Sequence, residues 1–363
     1  MPEIWLNYGS TDVVLDIKAE NLEEKIDTDG KTITDSEIKS KLESLDISKP
    51  TEFVVLNASE SVRKTLSIIL ERYKEKSIPK PPILVDKQIM NAIKNYIPEH
   101  ISICEFSSVE DSDSLLVFIG EMEFDGLFGY ETIATRLLKK FGDELMLSAY
   151  EKRKGDLPSP GQYIENFQIA NKFSEKFDIF AIEIIANSKG MCDLSVGHPS
   201  STSSISKSFG TSVTKDIGKH KTMIISTGKE SSNSTLGKSL SSLWNCSDAI
   251  KNDGLAILVA ECKFGIGSDG IQSVIDGRTD VERLKKPSQY IDGMENLLYM
   301  SETQKKFQLG LLSILPTHYS KKLNIIPFNG IKQVMDYILK NQGQRQKVEV
   351  ISDGARILLR QNS

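Results

Sequence analysis

Two stretches of the chain are apolar at consecutive positions: SLLVFIG at residues 114–120 and GLAILVAE at 254–261. Side chains alternate between the faces of a strand, so a run apolar on both faces is covered on both. That situation belongs to parallel sheets flanked by helices. Segments with helical spacing lie between the strands. In TEFVVLNASESVRKTLSIILERYKEK, Phe53 to Leu56 read as a strand, and Asn57 and Ser59 offer capping oxygens. Val62, Leu66, Ile69 and Leu70 then recur at the period of a helix.

The same pattern repeats in PPILVDKQIMNAIKNYI and ISICEF, and restarts with HKTMIISTG, SLSSLWNCSDAIKN and GLAILVAE. It closes with KLNIIPF, GIKQVMDYILKN and KVEVISDG. IWLNYGSTDVVLDI predicts two short strands around a Tyr8-Gly9-Ser10 turn, GQYIENFQIANKF a helix, and FDIFAIEIIANSKG a hairpin-like pair. The alternation predicts an α/β fold: two Rossmann-like domains with mainly parallel sheets and a cleft between them. PSSTSSISKSFGTS, residues 199–212, reads as a linker or mobile surface loop. It sets the expected domains at 1–212 and 213–363.

At 363 residues the chain is long enough for two cores. A formal charge of −5 argues against nucleic-acid and anionic-membrane partners, which need a positive surface. The cysteines, Cys104, Cys192, Cys246 and Cys262, are too far apart for a zinc site or a disulfide framework. MPEIWLNYGSTDVV lacks the basic start and apolar run of a signal peptide, so the expected location is cytoplasmic. Oligomeric state has no signature in the sequence.

GIGSDG, residues 265–270, has the letters of a dinucleotide-binding turn but not its setting. It follows the second strand of its half, and no acidic residue on a next strand comes after it. A tight turn at the head of a helix is the better reading. Cys262 beside Lys263 reads as a partly buried, inert thiol, with no base in sight to activate it. His100, His198, His220 and His318 are dispersed and show no metal-ligand spacing. Glu121, Glu123 and Asp125 follow a buried strand directly, where carboxylates are placed for acid–base or cation chemistry, or for plain solvation. Asp111 and Asp113 read as surface residues. STGKESSNSTLGKS, residues 226–239, fails the GxxxxGK[ST] frame, but its hydroxyls and amides offer donors to an anion at a helix N-terminus.

Several stretches, in order, resemble one family, the nickel-dependent lactate racemases of the LarA type. LNYGSTDVVLDI is similar to that family's opening segment. KTMIISTGKESSNSTLGKSLSSLWNCSDAIKNDGLAILVAECKFGIGSDG resembles its C-terminal core, including the Ala260-Glu261-Cys262 turn. LNIIPFNGIKQVMDYILKNQGQRQKVEVISDGARILL resembles its closing strand–helix–strand, and LLVFIGEMEFDGLFGYETIATRLL its middle strand and cofactor loop. The resemblance implies racemisation of a 2-hydroxy acid by a nickel-bearing pincer nucleotide attached to a lysine. Histidines would serve as bases and nickel ligand, and an arginine would grip the substrate carboxylate.

At those positions this chain differs. The arginine-bearing loop appears as Asn57-Ala58-Ser59-Glu60-Ser61, and the Gly-x-His-Arg motif as Val85-Asp86-Lys87-Gln88. The Glu-Pro-His segment becomes Glu123-Phe124-Asp125. The cofactor lysine falls near Thr135, the nickel histidine near Asp143 or Glu144, and the C-terminal glutamine and lysine near Lys238 and Ser241. The expectation is a divergent member of this fold that binds a small anion in the cleft, with no pincer cofactor. Its expected ligand contacts are Asn57, Ser59, Ser226, Thr227, Gly228, Asn233 and Lys238. One alternative is an enzyme of altered chemistry using Glu123, Asp125 or Asp143. Another is a regulatory protein that meets a partner through residues 199–212.

Overall fold

The computed structural model describes residues 3–27, 30–86, 89–98, 100–109, 114–153, 155–229 and 231–361, the side chain of Ser212 excepted. Lys87, Gln88, Asp111 and Asp113 lie outside the described residues. The chain opens with an antiparallel hairpin, β1 (Glu3–Tyr8) and β2 (Thr11–Asp16), in which Tyr8 faces Thr11. Gly9 has φ +64, and a Cβ there would fall 1.7 Å from the Glu261 carboxylate. Both the turn and the close approach require glycine. Next comes β3 (Leu22–Ile26).

The first sheet takes β4 (Thr51–Val55), β5 (Ile83–Val85), β6 (Ile103–Glu105) and β7 (Leu115–Glu121). A short hairpin, β8 (Glu123–Asp125) and β9 (Gly129–Glu131), leaves the end of β7. The sheet resumes with β10 (Ile179–Asn187) and β11 (Gly190–Gly197). Its order is β11-β10-β7-β4-β5-β6, parallel except for the β10–β11 pair. The chain moves outward from β4 to β6, then returns to β7 and moves outward on the other side. The direction therefore switches between β4 and β7.

The second half begins with β12 (Thr214–Ile217), β13 (His220–Ser226), β14 (Ile250–Val259) and β15 (Gln308–Leu312). It ends with β16 (Ile326–Phe328), β17 (Val348–Ile351) and β18 (Leu358–Gln361). The second sheet, β16-β15-β14-β13-β17-β3, is parallel throughout, and its switch lies between β13 and β17. Strands β12 and β18 form a separate parallel pair. The continuous apolar runs are central strands, as their burial demands: Val117, Phe118, Ile119, Leu255, Ile257 and Val259 are all fully buried. The α/β fold with mainly parallel sheets is thus the observed one.

Residues 3–26 were grouped by sequence with the first half, yet they build onto the second. Strand β3 is its edge strand, and Asn21 Nδ2 donates to the carbonyls of Gln344 at 2.9 Å and Gln346 at 3.0 Å. Ile4, Leu6, Leu15 and Ile17 share one buried cluster with Ile224, Leu255, Ile257 and Val259. The 199–212 expectation is also corrected. The segment is neither linker nor loop but a helix (Pro199–Thr202), a 3-10 turn and a second helix (Ser206–Val213). Its hydroxyls return hydrogen bonds to carbonyls of the preceding turn: Ser201 to His198 at 2.8 Å and Ser203 to Ser200 at 3.1 Å. Thr202, Ser203 and Ser206 are buried in consequence, and Phe209 stacks on Phe124 with centroids 4.6 Å apart. No helix among the described residues is long and apolar enough to cross a membrane.

The hairpin's place in the second core gives a direct expectation. Leu6→Ala should cost about 2–5 kcal/mol. Denaturant unfolding followed by Trp244 fluorescence, in a Trp5→Phe background, should report that loss. An unchanged midpoint would mean that the hairpin does not contribute to the C-terminal core.

Candidate functional site

The GIGSD turn and the Ser/Gly-rich loop fit into one another. The backbone N–H groups of Leu236 and Gly237, which open the helix Leu236–Cys246, donate to the carbonyls of Gly265 at 3.0 Å and Ile266 at 2.9 Å. Asn233 Nδ2 donates to the Gly228 carbonyl at 2.8 Å, and the Cys262 N–H donates to the Asn233 carbonyl at 3.0 Å. Gly267 has φ +62, and a Cβ there would lie 2.3 Å from the Thr235 side chain. The first donors of this helix are therefore turned to carbonyl oxygens rather than held open for an anion. Cys262 is buried against the Ser239 hydroxyl, and burial pushes its thiol up to about 12.

Beyond this interlock the two halves enclose a cleft of about 560 Å3. Asn57, Glu123, Asp125, Glu131, Arg136 and Lys139 form the N-terminal wall. Ser231, Ser232, Lys238, Trp244, Asp292 and Glu295 line the other side. The helix Ile133–Phe141 carries Arg136 and Lys139 three residues apart on one face. Glu131 accepts from Arg136 Nη2 at 3.2 Å and from Lys139 Nζ at 3.1 Å. Lys139 also donates to Asp125 Oδ2 at 2.7 Å. Asp125 Oδ1 closes the β8–β9 turn by accepting the N–H groups of Leu127 and Phe128 at 2.7 and 2.6 Å.

Protonation follows from these contacts. Burial raises a carboxyl, but for Glu131 it is outweighed by Lys139 and Arg136, which hold it down at about 2. Among the described residues the ion-pair partner of Glu123 is Arg136, at 3.9 Å. Desolvation, with Glu131 and Glu121 adding to it against Arg136, pushes Glu123 up to about 6. Glu295, buried and accepting from the Tyr290 hydroxyl at 3.1 Å, is pushed up to about 7 by desolvation. Burial raises Asp292 as well. On β10, Glu183 accepts the Ile133 N–H at the head of the helix, at 3.1–3.2 Å. Full burial still drives it up to about 8.

A second, small cavity of about 20 Å3 lies between the two switch points, lined by Ser59, Glu121, Glu123, Lys229, Asp353 and Arg356. Here Glu121 Oε1 accepts from Arg356 Nε at 3.1 Å and Nη2 at 2.9 Å, a buried ion pair joining the halves.

Of the expected ligand residues, Asn57 and Lys238 line the cleft and Ser59 the small cavity. Ser226 donates to the Asn7 carbonyl at 3.0 Å, and Thr227 is fully buried. Gly228, at φ +77, packs on the Asp353 carboxylate. With Asn233, these residues support the loop and do not line the cleft. Glu123 and Asp125 face the cleft together, but Asp143 is exposed elsewhere at the head of the next helix. Arg136, Lys139, Glu131 and Arg356 were missed by sequence. The spacing of Arg136 and Lys139 was visible; their shared carboxylate was not.

The residues present do not fit a pincer-nickel group. Thr135 is fully buried, its hydroxyl bonded within the helix cap formed with Thr132. Lys139, one turn on, is held between two carboxylates. None of the histidines lines the cleft: His100 bonds Lys80, His198 bonds Ser200, His220 faces Glu349 and His318 packs on Tyr319. Among the described residues no group of three or more His, Cys, Asp or Glu is arranged to hold a metal ion.

The structure matches that of the lactate racemase apoprotein from Thermoanaerobacterium thermosaccharolyticum with a TM-score of 0.72 at 16% identity, over 99% of this chain and 100% of that one. It also matches a structural-genomics target protein from Thermotoga maritima, with a TM-score of 0.64 at 10% identity over 91% of this chain and 99% of that one. No family model matches the sequence, and no curated protein does. The likeness to the lactate racemase fold read from the sequence is therefore real in three dimensions; identities this low carry the fold alone.

Glu183 supplies a pH test of this wall. In the folded protein it keeps its proton up to about pH 8, whereas its ordinary value is 4.5. Between those values the unfolded state holds fewer protons, so stability falls as pH rises through that window. Glu183→Gln keeps an acceptor for the Ile133 N–H and removes the titration. Its melting temperature should gain on the parent protein from pH 5 to about pH 8 and level off above that. A difference constant with pH would contradict the assignment.

Proposed function

We propose that the cleft binds a small anion through Lys238, in a protein that has the lactate racemase fold without pincer-nickel chemistry. One observation carries this reading. Among the described residues, Lys238 is the cleft-lining cation with no ion-pair partner, whereas Arg136, Lys139 and Lys140 each face a carboxylate. An unpaired ammonium on a cleft wall is a ready contact for a carboxylate or phosphate. Glu123 sits within its electrostatic reach and titrates near 6.

Calorimetric titration with small carboxylates tests the reading. Lys238→Met should weaken binding about tenfold to a hundredfold; unchanged affinity would sink it. Protonating Glu123 and Glu295 removes negative charge facing the ligand, so affinity should rise as pH falls from 7.5 to 5.5. Glu295 on the opposite wall, at about 7, protonates in the same window, so Glu123→Gln should remove only the part of that dependence centred near pH 6. Intact mass should equal that of the unmodified chain, with no stoichiometric nickel; a covalent adduct with nickel would contradict the non-pincer reading. A second reading, acid–base chemistry by Glu123, draws on its position and its value near 6. Solvent deuterium exchange into a bound carboxylate, abolished by Glu123→Gln, would favour it.

A further inference from the structure

The cleft carries more negative charge than the cations on its walls balance. Seven carboxylate side chains line it against four cationic ones. Three of the cations are already committed: Arg136 to Glu131, Lys139 to Asp125 and Glu131, and Lys140 to Asp86. Among the described residues, neither Lys238 nor Asp292 nor Glu295 forms an ion pair. Glu295 is 6% exposed, and its donor, the Tyr290 hydroxyl at 3.1 Å, brings no positive charge.

Lys238 and Asp292 leave the same patch of the C-terminal wall. Gly237 precedes Lys238 near the head of the helix Leu236–Cys246, and Gly293 follows Asp292. The two glycines close on one side chain: a Cβ at 237 would lie 3.1 Å from Ser268 Cβ, and a Cβ at 293 would lie 2.9 Å from the same atom. Ser268 Oγ donates to the Asp292 carbonyl at 2.9 Å, and the Gly270 N–H donates to it at 3.1 Å. These bonds fix the Asp292 backbone to the GIGSD turn while its side chain lines the cleft. Lys238 is near enough to act electrostatically on Asp292 and, from the other wall, on Glu123. Desolvation raises Glu123, Asp292 and Glu295 alike, and neighbouring carboxylates add to the rise. A positive group placed among them relieves that repulsion.

A plain anion gains Lys238 but also meets the surplus of carboxylates. A ligand that carries an ammonium beside its carboxylate gains from both. In an α-amino acid the two charged groups hang from one carbon, which suits a lysine and an aspartate that leave one patch of wall. We propose that the ligand of the cleft is an α-amino acid, with its carboxylate on Lys238 and its ammonium on Asp292. Glu123 and Glu295 add negative charge around the ammonium. The inference rests on the anion reading above and narrows it.

Calorimetry with alanine, lactate and propionate at pH 7.5 tests it. The three share a carboxylate and a three-carbon chain, and C2 bears an ammonium, a hydroxyl or only hydrogen. Alanine should bind at least tenfold tighter than either of the others. Asp292→Asn keeps the backbone carbonyl that Ser268 and Gly270 use and removes the charge. It should cut the alanine-to-propionate affinity ratio about tenfold; an unchanged ratio would overturn the placing of the ammonium on Asp292. Lactate or propionate binding as tightly as alanine would overturn the amino-acid inference while leaving the anion reading intact. Binding of none of the three would overturn the anion reading, and this inference with it.

Discussion

The ion pair between Glu121 and Arg356 joins the two halves at the point on which the cleft depends. Glu121 ends β7, and its side chain is 4% exposed; Arg356 follows β17, with its side chain 19% exposed. Taking both charges out of water is costly, and the pair recovers that cost only with good geometry. Here two guanidinium nitrogens meet one carboxylate oxygen, at 2.9 and 3.1 Å. A carboxylate at the end of one sheet's central strand is thereby tied to a loop at the switch of the other. The Tyr150 hydroxyl, donating to the Leu284 carbonyl at 2.5 Å, adds a second tie across the halves.

The chemistry of the cleft follows from how its charges are already committed. Glu131 and Asp125 neutralise Lys139, and Glu131 also holds Arg136. These groups form an ion-pair network on one wall. What remains for a ligand is uneven: one unpaired lysine, and two carboxyls that titrate near 6 and 7, Glu123 and Glu295. With imidazole absent from the described lining and the Thr135 hydroxyl turned inward, the residues present do not fit the metal group that the resemblance implies.

The sequence was legible where burial and capping act locally. SLLVFIG and GLAILVAE read as buried strands and are, and Ser59 caps the helix Glu60–Glu75 by accepting the Val62 N–H, as its position predicted. Strand β3, Leu22-Glu-Glu-Lys-Ile26, was illegible because an edge strand with exposed charges has no apolar pattern; its partner lies more than 300 residues away. The hydroxyls of Ser226 and Thr227 looked available because the partners they meet, the Asn7 and Val259 carbonyls, come from other strands. Residues 199–212 looked like a linker because small hydroxyl side chains are common in linkers. Nothing local shows that those hydroxyls bond to their own helix and can be buried. Arg136 and Arg356 had no local signal, since their roles exist only across the assembled halves.

A double-mutant cycle on Glu121→Gln and Arg356→Met, read by denaturant unfolding, tests the central claim that this pair holds the two switch points together. Each single variant should destabilise the protein, and the two losses should not add. A coupling energy of about 1–3 kcal/mol is predicted. Additive losses, with coupling near zero, would contradict the account.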